Sequence, residues 1–202
     1  MARQRFWQRF NFDPATLSNS DLHPYKTSTS LNDIIDIERR KDIADEVMES
    51  VLRVIRKEKV RVRGDYVSEL ILEIVDNFYR HAGNKLAAFT MQYFPNIKQV
   101  TLSIGDYRIG ISESLSSNPK YADYAHRPHY EAALKAFEPY VTSGTEGGTG
   151  LTNVQDLVLA LNGILFLATG NGYVRISNRE TKYGPMAYDL PGVQVYVWIP
   201  GE

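Results

Sequence analysis

The chain reads as an α+β protein, a two-layer sandwich in which helices cover one face of a mixed, mostly antiparallel sheet. Two observations point there. Apolar residues recur near helical spacing through the first part of the chain, and short β-branched apolar runs crowd the last part. The 202 residues, 43% hydrophobic and 23% charged, suit one good-sized core plus extensions rather than a disordered, fibrous or membrane chain. Lys and Arg number 23 against 24 acids, a formal net charge of -1, so there is no overall field to gather nucleic acid. The absence of cysteine excludes disulfides, thiolate metal sites and cysteine nucleophiles. No apolar run approaches the roughly 18 residues needed to span a bilayer. The opening MARQRFWQRF carries charges where a secretory apolar core would lie, so a cytoplasmic protein with no transmembrane segment is expected.

Residues 1–30 mix arginines and aromatics with Pro14 and Pro24 and show neither regular period; they read as an irregular arm. Over 31–60, Ser30 and Asp33 offer caps, and Ile34, Ile37, Ala44, Val47, Met48, Val51, Val54 and Ile55 follow at helical spacing, giving one long amphipathic helix. This helix is the candidate surface for a homodimer. From 61 to 202 a single domain is expected. Gly64 breaks the pattern, Asp65 caps, and Val67, Leu70, Ile71, Ile74, Val75 and Phe78 give a second amphipathic helix to about His81. A short helix is expected over Lys85 to Tyr93, then a strand from Ile97 to Ile104 closed by Gly105 and Asp106. Residues 112–149, rich in Ser, Pro, Gly, Tyr and His, read as a long lid with one helical stretch from His129 to Phe137. A helix from Leu151 to Leu161 precedes three strand-like runs, Ile164 to Thr169, Tyr173 to Ser177 and Val193 to Ile199.

Three features could carry chemistry. On the second helix Glu73, Asn77 and His81 recur every four residues, so they form one polar stripe beside an apolar face. A carboxylate, an amide and an imidazole there could serve as general base, hard-cation ligand and phosphate contact, although a solvated helix face looks the same. Gly144-Thr-Glu-Gly-Gly-Thr-Gly150-Leu151 runs straight into a helix, where free backbone N–H groups and the helix dipole suit phosphate; alone it is also a linker. It lacks the Gly-Lys-Ser/Thr ending of a Walker loop. Finally, Gly105-Asp106-Tyr-Arg-Ile-Gly110 ends a strand on a carboxylate that can accept from an exocyclic amine, with Gly110 making room for a flat base. A plain turn has the same pattern. His126 and His129 lack a third ligand and read as a surface pair.

The order of these features resembles the GHKL superfamily, the Bergerat-fold ATPases that include histidine kinases and anti-sigma-factor serine kinases. Glu73-x-x-x-Asn77-x-x-Arg80-His81 resembles the N box of the kinase branch. Gly147-Gly148-Thr149-Gly150-Leu151 is similar to its second glycine box, and Phe137-Glu-Pro-Tyr140 lies where histidine kinases carry a lid motif. Val154 to Gly163 looks like that branch's last helix and terminal glycine, so the resemblance covers roughly 65–200. It implies a Bergerat-type sandwich that binds ATP with magnesium and acts in bacterial-type signalling or regulation. By the same resemblance, Asn77 holds the magnesium and Glu73 positions or deprotonates the nucleophile. Asp106 binds the adenine amine beside Gly110, and Arg80 and His81 lie near phosphate. Gly147, Gly148, Thr149, Gly150 and Leu151 form the phosphate loop.

Two positions depart from the pattern. Arg108 stands where the first glycine box has glycine, and is either strained or able to reach the phosphates or a lid acid. Val193 stands where Gly-Thr is common, which removes a hydroxyl from the adenine end. The stretch from Asn118 to His129 also has no counterpart in the pattern. The expected activity is hydrolysis of ATP or transfer of its γ-phosphate to an unidentified protein substrate or partner. The alternative is a nucleotide-gated protein-interaction module with little catalysis.

Overall fold

Apolar residues two apart line one face of four long strands, and this alternation builds the sheet. A computed structural model describes residues 30–31, 35–37, 43–81, 87–106, 108–142 and 150–201. Its strands are β1 (Ser30–Leu31), β2 (Ile35–Ile37), β3 (Ala87–Phe94), β4 (Gln99–Gly105), β5 (Ile164–Ser177) and β6 (Thr181–Pro200). The sheet order is β1-β3-β4-β6-β5, with β2 also on β3. Register stacks Phe89, Ile104, Val195 and Leu167 in one row and Met91, Leu102, Val197 and Leu165 in the next. All eight are buried. On the opposite face Tyr196 and Trp198 remain exposed.

The helices are α1 (Ile43–Lys57), α2 (Gly64–His81), α3 (Ile111–Ser116), α4 (His129–Ala136) and α5 (Gly150–Ala160). A step of four residues puts Ile43, Val47, Val51 and Ile55 on the buried side of α1. The apolar face of α2 (Val67, Leu70, Ile71, Ile74, Val75, Phe78) and that of α5 (Val154, Leu157, Val158) are buried in the same core. Burying each such side chain contributes roughly 1.5–3 kcal/mol. α2 packs against both α1 and α5. α5 ends where Asn162 takes a φ of 53° and Gly163 N–H returns to Val158 O at 2.8 Å.

The α+β class stands, but several sequence expectations need correction. The first helix begins at Ile43 rather than near residue 31, because β-branched Ile35 and Ile37 pair with Phe89 and Ala87 as a strand. Ser30 and Leu31 likewise join the sheet, while 1–29 lie outside the described residues. The helix expected from Lys85 to Tyr93 is β3: Phe89, Met91 and Tyr93 are buried in a period of two that helical spacing does not produce. Every pairing among the described residues is antiparallel, not mixed. The last three strand-like runs form two long strands.

The described part of the expected lid, 112–142, is helical and packs against the body of the protein. α3, a 3-10 helix over Pro119–His126 and α4 occupy it, and Leu115, Tyr121, Ala132, Ala133 and Phe137 are buried. Its unrecognised stretch is docked: Asn118 Oδ1 caps Lys120 N–H at 3.0 Å, and Asn118 Nδ2 donates to Thr142 O at 3.1 Å. His129 Nδ1 accepts from the Asn171 N–H at 3.0 Å. Residues 143–149 lie outside the described residues. Among the described residues no helix is long and apolar enough to cross a membrane.

β5 turns a corner. A straight strand of its 14 residues would span about 46 Å, yet Asn178 Nδ2 bonds Leu159 O and Asn162 Oδ1, both at 3.0 Å, beside the strand's own start. The register shifts at Gly170 and Gly172 make the bend, and buried positions change from Leu165, Leu167 and Thr169 to Val174 and Ile176. A Cβ at Gly172 would overlap the backbone of Tyr130 at the start of α4. Gly172→Ala is therefore expected to cost roughly 1–3 kcal/mol in urea denaturation. Gly64→Ala, where an added Cβ meets nothing within 4 Å, should leave the midpoint unchanged or raise it.

Candidate functional site

Topology gathers the candidate residues at one end of the sheet. β4 ends there at Gly105, opposite Ala88 near the start of β3, and α2 ends at His81, shortly before β3 in the chain. α5 finishes beside the other end, where β5 starts opposite Trp198, so its first turn points back toward Asp106. Glu73 and Asn77 on α2, Asp106 after β4 and Gly150 opening α5 thus share one side of the molecule.

Glu73 and Asn77 lie half-buried, flanked by buried Leu70, Ile74 and Phe78. Asn153, in the first turn of α5, donates through Nδ2 to Glu73 Oε1 at 3.1 Å. One helical turn further on, Asn77 Nδ2 is buried and has no hydrogen-bond partner among the described residues. Leaving such a donor unsatisfied costs about 1–3 kcal/mol. Arg80 and His81 belong to α2, but their side chains lie outside the described residues, as do Gly147, Gly148 and Thr149. Gly150 is the first residue of α5, followed by half-buried Leu151. Thr152 Oγ1 pins this turn to Phe137 O at 3.0 Å.

Asp106 is 5% exposed. Its N–H donates to Val193 O and its Oδ1 accepts the Arg108 N–H, both at 3.0 Å. The second bond is an Asx-turn, which uses only a backbone N–H and so admits arginine where glycine was expected. Arg108 is exposed. Burial pushes the Asp106 carboxyl above its usual value, against backbone hydrogen bonds at Arg108 and Val193 and the Arg108 charge.

One glycine walls this carboxylate, and a second packs behind that wall. Gly192 has φ 72°, and a Cβ on it would overlap Asp106 Oδ1 and the Asp106 backbone. Gly110 is extended, and its Cβ would stand 2.7 Å from Thr169 Oγ1. Thr169, 1% exposed, joins the two glycine segments: its hydroxyl donates to Gly192 O at 2.9 Å and accepts the Ile111 N–H at 3.0 Å. Thr169 is the cross-strand partner of Val193. Sequence reasoning missed Thr169 and Asn153, and no local pattern marks either.

A buried acceptor packed against Gly192, an amide donor with no partner among the described residues and a carboxylate held at one oxygen could together take a flat amine-bearing base, an anion and a proton. Among the described residues no three or more His, Cys, Asp or Glu side chains group to hold a metal. The donor set still fits magnesium carried on phosphates, because that ion keeps its waters and needs few protein oxygens. Asn77 would be the residue to hold such an ion, through its amide oxygen, and its Nδ2, which has no partner among the described residues, would be free to donate to a phosphate oxygen. A shallow groove on the opposite sheet face, bordered by Phe166, Leu190, Gln194 and Tyr196, holds no carboxylate, imidazole or cation. No family model matches the chain, and neither a curated protein nor a solved structure matches it.

A raised carboxyl in the folded state favours the native protein in acid, and that advantage is lost as pH rises through the folded value. Asp106→Asn, which can keep the Asx-turn, should therefore be at least as stable as the wild type at pH 7. The gap should close as pH falls toward the ordinary aspartate value of about 3.9. Urea denaturation across that window checks it, and a wild type more stable than the variant at pH 7 would contradict it.

Proposed function

We propose that the protein is a GHKL-type domain that binds ATP with magnesium and hydrolyses it or passes its γ-phosphate to a protein. The observation that carries this reading is the buried Asn77 amide, without a partner among the described residues, one turn beyond Glu73 and at the same end of the sheet as Asp106, against which Gly192 packs. A cost of that size in the free protein is explained if a ligand satisfies the donor. In this reading Asp106 accepts from the adenine amine, and Gly110 and Gly192 leave room for the ring. Asn77 holds magnesium, which when bound neutralises charge on the phosphates. Arg80, His81 and the 147–151 loop would face the phosphates.

The reaction asks little covalent chemistry of the chain. An oxygen of water or of a protein side chain bonds to the γ-phosphorus as the bond to the β,γ-bridging oxygen breaks. The proton passes to Glu73, and the electron pair leaves on ADP. The exposed Tyr196 and Trp198 on the open sheet face favour the second reading, a nucleotide-gated interaction module with little turnover.

Calorimetric titration with a non-hydrolysable ATP analogue and magnesium tests the binding. Asn77→Ala and Asp106→Ala should each weaken it about tenfold or more, a loss of at least about 1.4 kcal/mol. Glu73→Ala should keep wild-type affinity and lose turnover. A folded wild type that gives no heat sinks both readings. One that binds without turnover, even with added protein partners, selects the module.

A further inference from the structure

We propose that Asn153 is a positioning residue for Glu73: it holds one carboxylate oxygen so that the other receives the proton of the attacking group. This inference rests on the reading of Glu73 as the base. The bond joins α2 to α5 across 80 positions of sequence, at 3.1 Å and partly buried. The nitrogen of Asn153 is a donor that cannot take up a proton, so it fixes the carboxylate without competing for the transferred one. A glutamate has three rotatable bonds, and a free carboxylate on α2 would sample positions wider than the ~3 Å reach that proton transfer requires. The donor is itself fixed, since the adjacent Thr152 ties the same turn of α5 to Phe137 O. Asn153 thus sets the angle of Glu73 from the helix that the 143–149 loop leads into.

The step affected is the one written above. As the attacking oxygen bonds to phosphorus and the bridging P–O bond breaks, the proton moves to the Glu73 oxygen that Asn153 does not hold. Asn153→Leu keeps the approximate volume and removes the donor. With magnesium-ATP, this variant should lose about 10- to 100-fold in kcat, with KM and affinity for the non-hydrolysable analogue within about twofold of wild type. In a Glu73→Gln background the same substitution should cause no further loss, because a residue acting only through Glu73 has nothing left to act on.

Asn153→Ser, which retains a shorter donor, should recover part of kcat and guards against misfolding of the leucine variant, with thermal melting as the check. A kcat unchanged in Asn153→Leu, an additive loss in the double variant, or a loss in KM and affinity instead of kcat overturns the proposal. A wild type that binds the analogue but never turns over ATP overturns it while leaving the nucleotide site intact. A wild type that binds no nucleotide overturns the reading on which it rests.

Discussion

The Thr169 hydroxyl is the constraint on which the Asp106 end of the molecule depends. It accepts from the first N–H of α3 and donates to Gly192 O, so one buried oxygen fixes a helix start and the left-handed residue over Asp106. Its placement follows from the sheet, since Thr169 faces Val193 in the β5–β6 register and Asp106 N–H bonds the Val193 carbonyl. A buried carboxylate tolerates that position only while residue 192 is glycine and its turn supplies an N–H. Displacing any of the three would expose the others to strain or to unpaired polar groups.

The helical side of the candidate site is held by a different device. α2 and α5 bury apolar faces in the common core, but their mutual orientation at the site end is tied by polar bonds, Asn153 to Glu73 and Thr152 to Phe137. Apolar packing is non-directional and fixes separation, whereas a hydrogen bond falls off steeply with angle. The division suits a site that must aim one carboxylate. It also separates stability from the candidate site, because the apolar residues that build the core are not those of the polar site.

Much of α2 and α5 was legible, since their signals are local: a cap or break, then apolar residues at helical spacing, then Asn162-Gly163 to stop. Asp106 was legible as the acid that ends a strand. β3 was misread because Ala87, Ala88 and Phe89 satisfy either period over a short window, and only pairing with β4 decides. Ile35 and Ile37 suffered the same ambiguity. The 112–142 stretch looked like a lid by composition, yet Tyr121 and Ala132 are core through contacts distant in sequence. Thr169 and Asn153 were invisible for that reason: their meaning lies in partners 23, 58 and 80 positions away.

β6 lies between β4 and β5, although it follows every other described element in the chain. During synthesis the β3–β4 hairpin therefore carries a bare inner edge until residues 193–200 have been made. The apolar rows of Leu102 and Ile104 meanwhile have no neighbour on that side. Pairing β4 with β6 closes a loop of about ninety residues, the kind of long-range step that slows folding and leaves edges open to wrong partners. β5 and β6 form a hairpin by short-range contacts, so the growing chain holds two half-sheets that must join last. The Asp106 corner lies on that seam, so the candidate base pocket is complete only once β4 and β6 have paired.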